Sequence, residues 1–171
     1  MTSKEKKINS INNLTFRENP IEDDIEKVGA IVEQTGFFSE SEIEIAKELV
    51  GERLLKGIQS GYYFLFAESK KKFAGYTCFG PVAGTLSSFD LYWIVIDKSF
   101  QGQGIGKLLN TMTEDIIRKM GGSRIYAETS SRPQYEPTRA FYHHAGYKEA
   151  AYLEDFYAPN DGKIIFVKRI D

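Results

Sequence analysis

The amino-acid sequence predicts an α/β protein in which helices flank both faces of a mixed central sheet, and three observations support this fold class. Hydrophobic residues make up 42% of the 171 residues and charged residues 27%, which is typical of a globular domain with a sizeable core. Apolar residues recur at helical spacing in some segments and form aromatic-rich runs in others. Helices between some strand segments imply parallel pairing, and polar turns between others imply antiparallel pairing.

A single domain is expected, because one domain commonly has roughly 100 to 200 residues. We place this domain at residues 13–171. The residues before it are mostly polar and rich in lysine and serine, so residues 1–12 are predicted to form a flexible arm.

Composition and charge limit the binding partners and the cellular compartment that we expect. The formal net charge is −2, which gives no general attraction to nucleic acid. No run approaches the roughly 18 apolar residues of a membrane helix, so no membrane partner is expected. Cys78 is the only cysteine, which rules out an intramolecular disulfide and indicates a reducing, cytoplasmic setting.

The first elements are a short strand at residues 13–17 and a helix that follows it. Asn19 is placed as the cap of this helix and Pro20 lies in its first turn. Apolar residues then recur at helical spacing up to Gly36, which is predicted to end the helix.

A second helix and an antiparallel hairpin come next. Ser39 and Glu42 form a predicted capping box, and the apolar face behind them continues to about Lys56. Two aromatic-rich strands, Tyr62–Glu68 and Phe73–Phe79, are separated only by a short polar turn.

The centre of the sheet is predicted at residues Phe89–Ile96, which follow a loop at Gly80–Gly84. The near-continuous apolar character of this strand suggests that it is covered on both faces. A third helix begins at Gly104, carries an apolar stripe and ends at the pair Gly121 and Gly122.

The last third of the chain predicts a strand at Arg124–Glu128, a short helix opened by Pro137, and two strands near Tyr147–Phe156 and Lys163–Ile170. With these elements the order alternates strands and helices in the way that the mixed sheet requires.

The most informative segment joins the central strand to the third helix. Its residues are Gln101, Gly102, Gln103, Gly104, Ile105 and Gly106. Glycines at a helix start let a ligand approach the main chain, and the unpaired N–H groups there attract phosphate oxygens. We interpret the segment as a pyrophosphate site, and the alternative is a glycine-rich turn that only begins a helix.

Two familiar phosphate-binding motifs do not fit. A P-loop needs Ser or Thr after Gly-Lys, but Gly106 and Lys107 are followed by Leu108. A Rossmann fingerprint places its glycines directly after the strand with an acid about 20 residues on. Glu128 is tolerably placed for that acid, but the glycine spacing is wrong.

At this point the sequence resembles the GCN5-related N-acetyltransferase (GNAT) superfamily. The superfamily's cofactor motif of Gln or Arg, two residues, Gly, one residue, then Gly or Ala is met by Gln101, Gly104 and Gly106. A second segment, residues 140–147, is similar to the superfamily's aromatic pair followed by a Gly-aromatic turn. The resemblance covers essentially the whole chain after about residue 12.

The resemblance implies that acetyl-CoA binds between splayed central strands, here Phe89–Ile96 and Arg124–Glu128. Many members carry Asn seven residues before the position of Tyr142, whereas this chain has Tyr135, and this departure affects a side-chain contact to the pantetheine. The expected cofactor-binding residues are Ile94, Val95, Ile96, Gln101, Gly102, Gln103, Gly104, Ile105, Gly106, Lys107, Tyr135 and Arg139.

Transfer of an acyl group to an amine needs two proton transfers. The resemblance places Tyr142 near the thioester sulfur as general acid, although a tyrosine that only packs the short helix is the alternative. Asp90 is our choice of base, because histone-acetylating relatives place a glutamate 11 positions before Gln101. An acid at the mouth of a strand is also commonly a solvated end residue.

Other reactive side chains have plainer explanations. His143 and His144 are more typical of a helix surface than of catalysis, and they lack the partners of a metal site. No metal is therefore expected. Cys78 lies in an apolar strand, where a cysteine behaves as a small hydrophobe.

The acceptor is expected to be an amine, on either a small molecule or a protein. Residues predicted to line its site are Phe37, Phe38, Tyr92 and Glu128. A homodimer is compatible with the sequence.

The function predicted is acyl-CoA-dependent N-acyltransfer, with acetyl-CoA as donor and direct attack in a ternary complex. A non-catalytic acyl-CoA binding or sensing module is the main alternative, and a Rossmann-type nucleotide-binding protein is a further one. Release of thiol from acetyl-CoA across a set of amines separates the first two, and competition by ATP or NAD tests the third.

Overall fold

The computed structural model describes residues 13–70 and 72–171, so the arm predicted at residues 1–12 lies outside the described residues. Over the described residues the chain forms seven strands and four α-helices. The strands are β1 (Leu14–Arg17), β2 (Tyr63–Ser69), β3 (Lys72–Pro81), β4 (Ser88–Ile96), β5 (Arg124–Ser130), β6 (Lys148–Ala158) and β7 (Asp161–Arg169). The helices are α1 (Asp24–Thr35), α2 (Glu40–Lys56), α3 (Ile105–Lys119) and α4 (Glu136–His144).

The strands form one mixed sheet in the order β1-β2-β3-β4-β5-β7-β6, which confirms the predicted fold class. β2 and β3 form the predicted antiparallel hairpin. β4 is the fourth strand in this order, as predicted, and pairs in parallel with β5 from Ser88↔Arg124 to Leu91↔Ala127. β7 pairs antiparallel with both β5 and β6. Parallel pairing of β4 and β5 is possible because α3 provides the crossover between them.

β4 is less buried than its apolar sequence predicts. Phe89, Leu91 and Val95 are buried, but Tyr92 is 39% exposed. The expectation that both faces of this strand are covered is therefore wrong at Tyr92.

The predicted start of the first helix is also wrong. α1 begins at Asp24 rather than at Asn19. The Asp24 carboxylate is buried, accepts a hydrogen bond from the main-chain N–H of Ile21 at 2.7 Å, and pairs with the Arg17 guanidinium at 2.7 and 3.0 Å. This ion pair with β1 holds residues 21–24 in a turn, so the helix starts after it.

The second helix begins as predicted. The main-chain N–H of Ser39 donates to the Glu42 carboxylate at 2.8 Å, and the main-chain N–H of Glu42 donates to Ser39 Oγ at 3.4 Å. Gly36, with φ of 74°, ends α1 in the left-handed conformation that favours glycine.

The chain forms two compact units. The first runs to Phe79 and includes Trp93–Thr113, and the second comprises Gly80–Tyr92 and Glu114–Asp171. β4 and α3 each continue from one unit into the other. The prediction of a single domain at residues 13–171 stays a prediction.

The core of the first unit is formed by α1, α2 and the strands of that unit. Aromatic rings stack within this core, with Phe64 and Phe66 centroids 5.4 Å apart. Its buried members are Val28, Ile31, Val32, Ala46, Val50, Phe64, Phe66, Tyr76, Cys78 and Val95.

The second unit is built around Phe166 of β7, which is fully buried. The Tyr142 ring of α4 lies 5.2 Å from the Phe166 ring. Close by along β7, the Lys168 ammonium donates to both carboxylate oxygens of Glu114 at 2.6 and 2.8 Å. Apolar packing and this ion pair attach α3 and α4 to β7.

Candidate functional site

The glycine segment begins where β4 ends. The Asp97 main-chain N–H donates to Ala74 O of β3 at 3.0 Å, which fixes the end of β4. A short 3₁₀ helix, Lys98–Phe100, then turns the chain, and the Asp97 carboxylate accepts hydrogen bonds from the main-chain N–H and the hydroxyl of Ser99. Burial opposes ionisation of Asp97, but these hydrogen bonds, with the positive charge of Lys72, prevail and lower the pKa of its carboxyl.

Two glutamine side chains brace the segment that follows. Gln101 Nε2 donates to Ile96 O at 3.1 Å, and Gln103 Nε2 donates to Ser99 O at 3.0 Å. Their amides therefore bond the protein's own main chain and hold the loop in a defined shape.

Left-handed backbone in the loop explains its glycines. Gly102 has φ of 71° and Gly104 has φ of 88°, values that other residues rarely adopt. A Cβ at Gly102 would meet no atom within 4 Å, so the requirement at this position is conformational. The loop thus presents bare main chain to its surroundings.

The loop leads directly into the N-terminus of α3. The bond from Leu108 N to Gly104 O, at 3.1 Å, is a first-turn helical hydrogen bond. N–H groups that precede it in the helix have no intrahelical acceptor, and the helix dipole is positive at this end. Ile105 is buried and anchors the turn, while Lys107 is exposed. This geometry suits phosphate oxygens.

β3 and β4 approach closely beside the residues expected to bind the pantetheine. A Cβ at Gly75 would lie 2.6 Å from Val95 O, so only glycine fits there. Val95 is buried in the core, while Ile94 and Ile96 are partly exposed. A contact between the main chain of Ile94, Val95 and Ile96 and a pantetheine stays a prediction.

Tyr142, the predicted general acid, lies in a buried aromatic cluster. Its ring packs 5.3 Å from that of Tyr147 and 5.2 Å from that of Phe166, and only 5% of the residue is exposed. Burial raises the pKa of the Tyr142 hydroxyl well above its usual range. The hydroxyl therefore stays protonated throughout the working pH of an enzyme, as a hydrogen-bond donor must.

Asp90, the predicted base, lies on β4 opposite Tyr126 of β5 and is partly buried. Burial raises the pKa of its carboxyl, the negative charge of Glu128 raises it further, and the positive charge of Lys163 lowers it. A raised pKa makes a carboxylate a better proton acceptor.

Glu128 is paired in the structure. Its Oε2 lies 2.5 Å from Lys163 Nζ, and the Lys163 ammonium lies 3.7 Å from the centroid of the Phe156 ring. Asp90, Glu128 and Lys163 are thus close enough to act on one another, and the sequence interpretation missed Lys163 and Phe156. Only the register of β5 with β7 brings Lys163 near Glu128, and no local pattern in the sequence reports that register.

Tyr135 and Arg139, both expected at the cofactor, have protein contacts in the second unit. Tyr135 is buried, and the Arg132 guanidinium lies 5.5 Å from its ring centroid. Arg139 Nη1 donates to the main-chain carbonyls of Ser130 and Arg132 at 3.0 and 2.9 Å. These contacts order the turn after β5, and a cofactor contact at either residue stays a prediction.

The residues expected to line the acceptor site are placed differently from one another. In the first unit, Phe38 packs edge-on against Trp93 at 4.9 Å, whereas Phe37 is exposed. In the second unit, Tyr92 and Glu128 are exposed. Of these four, Phe38 has the clearest structural role.

The remaining candidates have structural explanations. His143 pairs with Glu149 at 3.1 Å, and His144 bonds Ala140 O. Cys78 is buried, and burial raises the pKa of its thiol, which makes it a poor nucleophile. Among residues 13–70 and 72–171, no three His, Cys, Asp or Glu side chains cluster as metal ligands would. In the same part of the chain, no helix has the length and apolarity to cross a membrane.

Comparison with known proteins places this geometry in a family. Residues 31–147 match the model of the acetyltransferase (GNAT) family. A protein of the GNAT family from Desulfovibrio desulfuricans is 39% identical, with a TM-score of 0.91, over 92% of this chain and 99% of that one. No curated protein gives a significant match.

Two more distant structures share the fold. The ribosomal-protein-S18-alanine N-acetyltransferase from Escherichia coli is 20% identical, with a TM-score of 0.74, over 92% of this chain and 94% of that one. A protein from Salmonella typhimurium, solved with its cofactor acetyl-CoA, is 17% identical, with a TM-score of 0.71, over 94% of this chain and 95% of that one. The family match over residues 31–147 and the structural relative at 39% identity show that this chain belongs to the GNAT family of acetyltransferases.

Proposed function

We propose that this protein transfers an acetyl group from acetyl-CoA to a primary amine by direct attack in a ternary complex. The observation that carries the proposal is the braced glycine loop, with left-handed Gly102 and Gly104, that opens α3. Main-chain N–H groups of Gln101 to Lys107 would hold the CoA pyrophosphate. Family membership supports the same donor.

The reaction needs no covalent enzyme intermediate. The acceptor nitrogen attacks the thioester carbonyl, the new C–N bond forms, the C–S bond breaks, and CoA leaves as its thiolate. The nitrogen, positively charged after the attack, loses its second proton to water and leaves a neutral amide. An alkylammonium has a pKa of about 10, so the acceptor must lose a proton before it attacks. Asp90, directly or through water, takes that proton in our proposal, and its raised pKa supports the role.

Tyr142 assists the departing sulfur. A buried phenol with a raised pKa is a weaker acid than an ordinary thiol, whose pKa is about 8.5. The Tyr142 hydroxyl therefore acts by donating a hydrogen bond to the developing thiolate, and it keeps its proton while CoA leaves. Such stabilisation is specific to the transition state.

The acceptor site includes Glu128 and Tyr92 beside Asp90 in our proposal. Carboxylates attract an ammonium, and an exposed aromatic ring offers a face for the rest of the acceptor. The acceptor is an amine on a small molecule or a protein. We place the protein in the cytoplasm as a single domain, in keeping with its lone, buried cysteine.

An acceptor screen tests this function. Purified protein is mixed with acetyl-CoA or longer acyl-CoAs and with an amine panel of amino acids, polyamines, aminoglycosides and peptides with free N-termini, and release of thiol is followed. Acetyl-CoA with one class of amine should give turnover above hydrolysis. Tight CoA binding without turnover for any amine would favour the non-catalytic binding module instead.

A further inference from the structure

Lys163 is held in an unusual position at the start of β7. Its ammonium forms the 2.5 Å ion pair with Glu128, lies 3.7 Å from the Phe156 ring centroid and 5.6 Å from that of Tyr157. Only 13% of the Lys163 side chain is exposed, against 47% for Glu128. The rings limit its access to water, so its charge acts more strongly on neighbouring groups.

Strand register places this ion pair on the face that carries Asp90. Asp90 is opposite Tyr126, and Glu128 follows Tyr126 by two residues, so the side chains of all three share a face. Lys163 is opposite Ser130, two residues further along the same face. The same face also carries Arg124 of β5, which pairs with Asp171 at 3.6 Å, together with Arg169 of β7 and Lys148 of β6. Of these charged groups, Glu128 and Lys163 are the ones that shift the pKa of Asp90.

We propose that Lys163 is a positioning residue for Asp90: it acts through Glu128, whose carboxylate it holds and whose negative charge it offsets. The inference rests on the proposed role of Asp90 as base. Without Lys163, Glu128 would present an uncompensated like charge to Asp90. Asp90 would then hold its proton to higher pH and would be a carboxylate, able to accept a proton, over a narrower range.

Opposite shifts in two variants test the proposal. Lys163→Met removes the positive charge that stabilises the ionised Asp90. The acid limb of the plot of kcat/KM against pH should therefore move to higher pH by about 0.5 to 1 unit. Glu128→Gln removes the negative charge that opposes ionisation of Asp90, and it should move the limb to lower pH. The double variant should return toward the wild-type profile, because both charges are then absent.

Controls separate charge from packing. Lys163→Arg keeps the charge and should leave the limb where it is. Lys148→Met removes an exposed lysine of β6 opposite Val167, four residues from Lys163 along β7. Asp90, Tyr126, Val167 and Lys148 lie in one row across four neighbouring strands, so Lys148 is three inter-strand spacings, or about 14 Å, from Asp90. Solvent screens the exposed charge of Lys148 beyond the Debye length of roughly 8 to 10 Å, so the limb should not move.

An activity-independent measurement keeps this test distinct from that of the proposed function. Carboxyl NMR titration of Asp90 in the same variants should show an upward shift in Lys163→Met and a downward shift in Glu128→Gln. If Asp90 titrates identically in all variants, or shifts in the same direction in both, the role of Lys163 is refuted. Opposite NMR shifts without any shift of the rate profile would uphold Lys163 and refute Asp90 as the base.

Discussion

Tyr142 combines two properties that a substitution can separate, namely a packed ring and a hydroxyl. Tyr142→Phe keeps the ring against Phe166 and Tyr147 and removes only the oxygen. If the hydroxyl stabilises the leaving thiolate, turnover should fall roughly 10²-fold while CoA affinity stays nearly unchanged. Stopped-flow thiol release and calorimetry with CoA measure the two quantities.

Tyr147→Phe is the matched control, because it removes a hydroxyl from the same aromatic cluster. Its turnover should stay near wild type even if its melting temperature changes. Since burial raises the pKa of Tyr142, any loss of activity below about pH 10 must come from another group and should persist in Tyr142→Phe. Near-normal turnover in Tyr142→Phe would mean that Tyr142 serves packing alone.

Asp90 should show opposite effects on activity and stability. Asp90→Asn should lower turnover most at low pH, where little free amine exists. The loss of turnover should become smaller as the pH rises toward the pKa of the acceptor amine. The folded-state pKa of Asp90 is raised above its unfolded value, so its stabilising contribution is present below about pH 3.9 and is lost as pH rises through the folded value.

At neutral pH the ionised Asp90 therefore costs stability, and Asp90→Asn should melt at the same temperature or higher. Thermal melts at pH 5, 7 and 8 measure this. A lower melting temperature at pH 7, with turnover reduced equally at every pH, would indicate a structural carboxylate instead of a base.

At the scale of elements, the glycine loop carries the donor site. Gly104→Val puts a β-branched side chain at φ of 88° and beside the N–H groups expected to bind phosphate. CoA affinity should fall at least tenfold, or about 1.4 kcal/mol, by calorimetry.

Gly84→Val is a control for backbone strain, because Gly84 has a similar φ of 77° in the loop between β3 and β4. Both variants should lose some stability, but only Gly104→Val should lose CoA affinity. Equal CoA affinity in the two folded variants would move the pyrophosphate site elsewhere.

Element boundaries show what the sequence can and cannot predict. The capping box of Ser39 and Glu42 and the stop at Gly36 depend on residues three or four positions apart, so local patterns report them. The start of α1 was predicted wrongly because Arg17 and Asp24 act across two elements.

The candidate site divides in the same way. Its glycine loop is continuous in sequence and could be predicted from residue types alone. The pair of Glu128 and Lys163 depends on the β5–β7 register, which arises from the whole sheet and leaves no local signature. The exposure of Tyr92 likewise follows from which side of β4 the rest of the fold covers.

At the scale of the whole molecule, the question is whether the two compact units unfold together. β4 passes from Tyr92 in the second unit to Trp93 in the first, and α3 passes from Thr113 in the first to Glu114 in the second. Neither unit can unfold without ending a continuous strand and a continuous helix. We therefore predict a single cooperative transition, as expected of one domain.

A substitution in one unit with a probe in the other tests this prediction. Lys168→Met removes the ammonium that bonds both oxygens of Glu114, whose side chain is only 8% exposed. Loss of this counter-charge should cost about 3 to 5 kcal/mol. Trp93 is the only tryptophan of the sequence, and it packs on Phe38 in the first unit, so its fluorescence in urea reports that unit.

In a single cooperative domain, Lys168→Met must shift the Trp93 transition by the same free energy as the transition followed by circular dichroism. Lys56→Met is the control, because it removes a lysine from the exposed pair with Glu52 and should cost at most about 1 kcal/mol. A Trp93 transition that stays at its wild-type midpoint while circular dichroism shows an earlier one would mean that the units unfold separately. The chain would then consist of two domains, and the cooperativity inferred from β4 and α3 would be refuted.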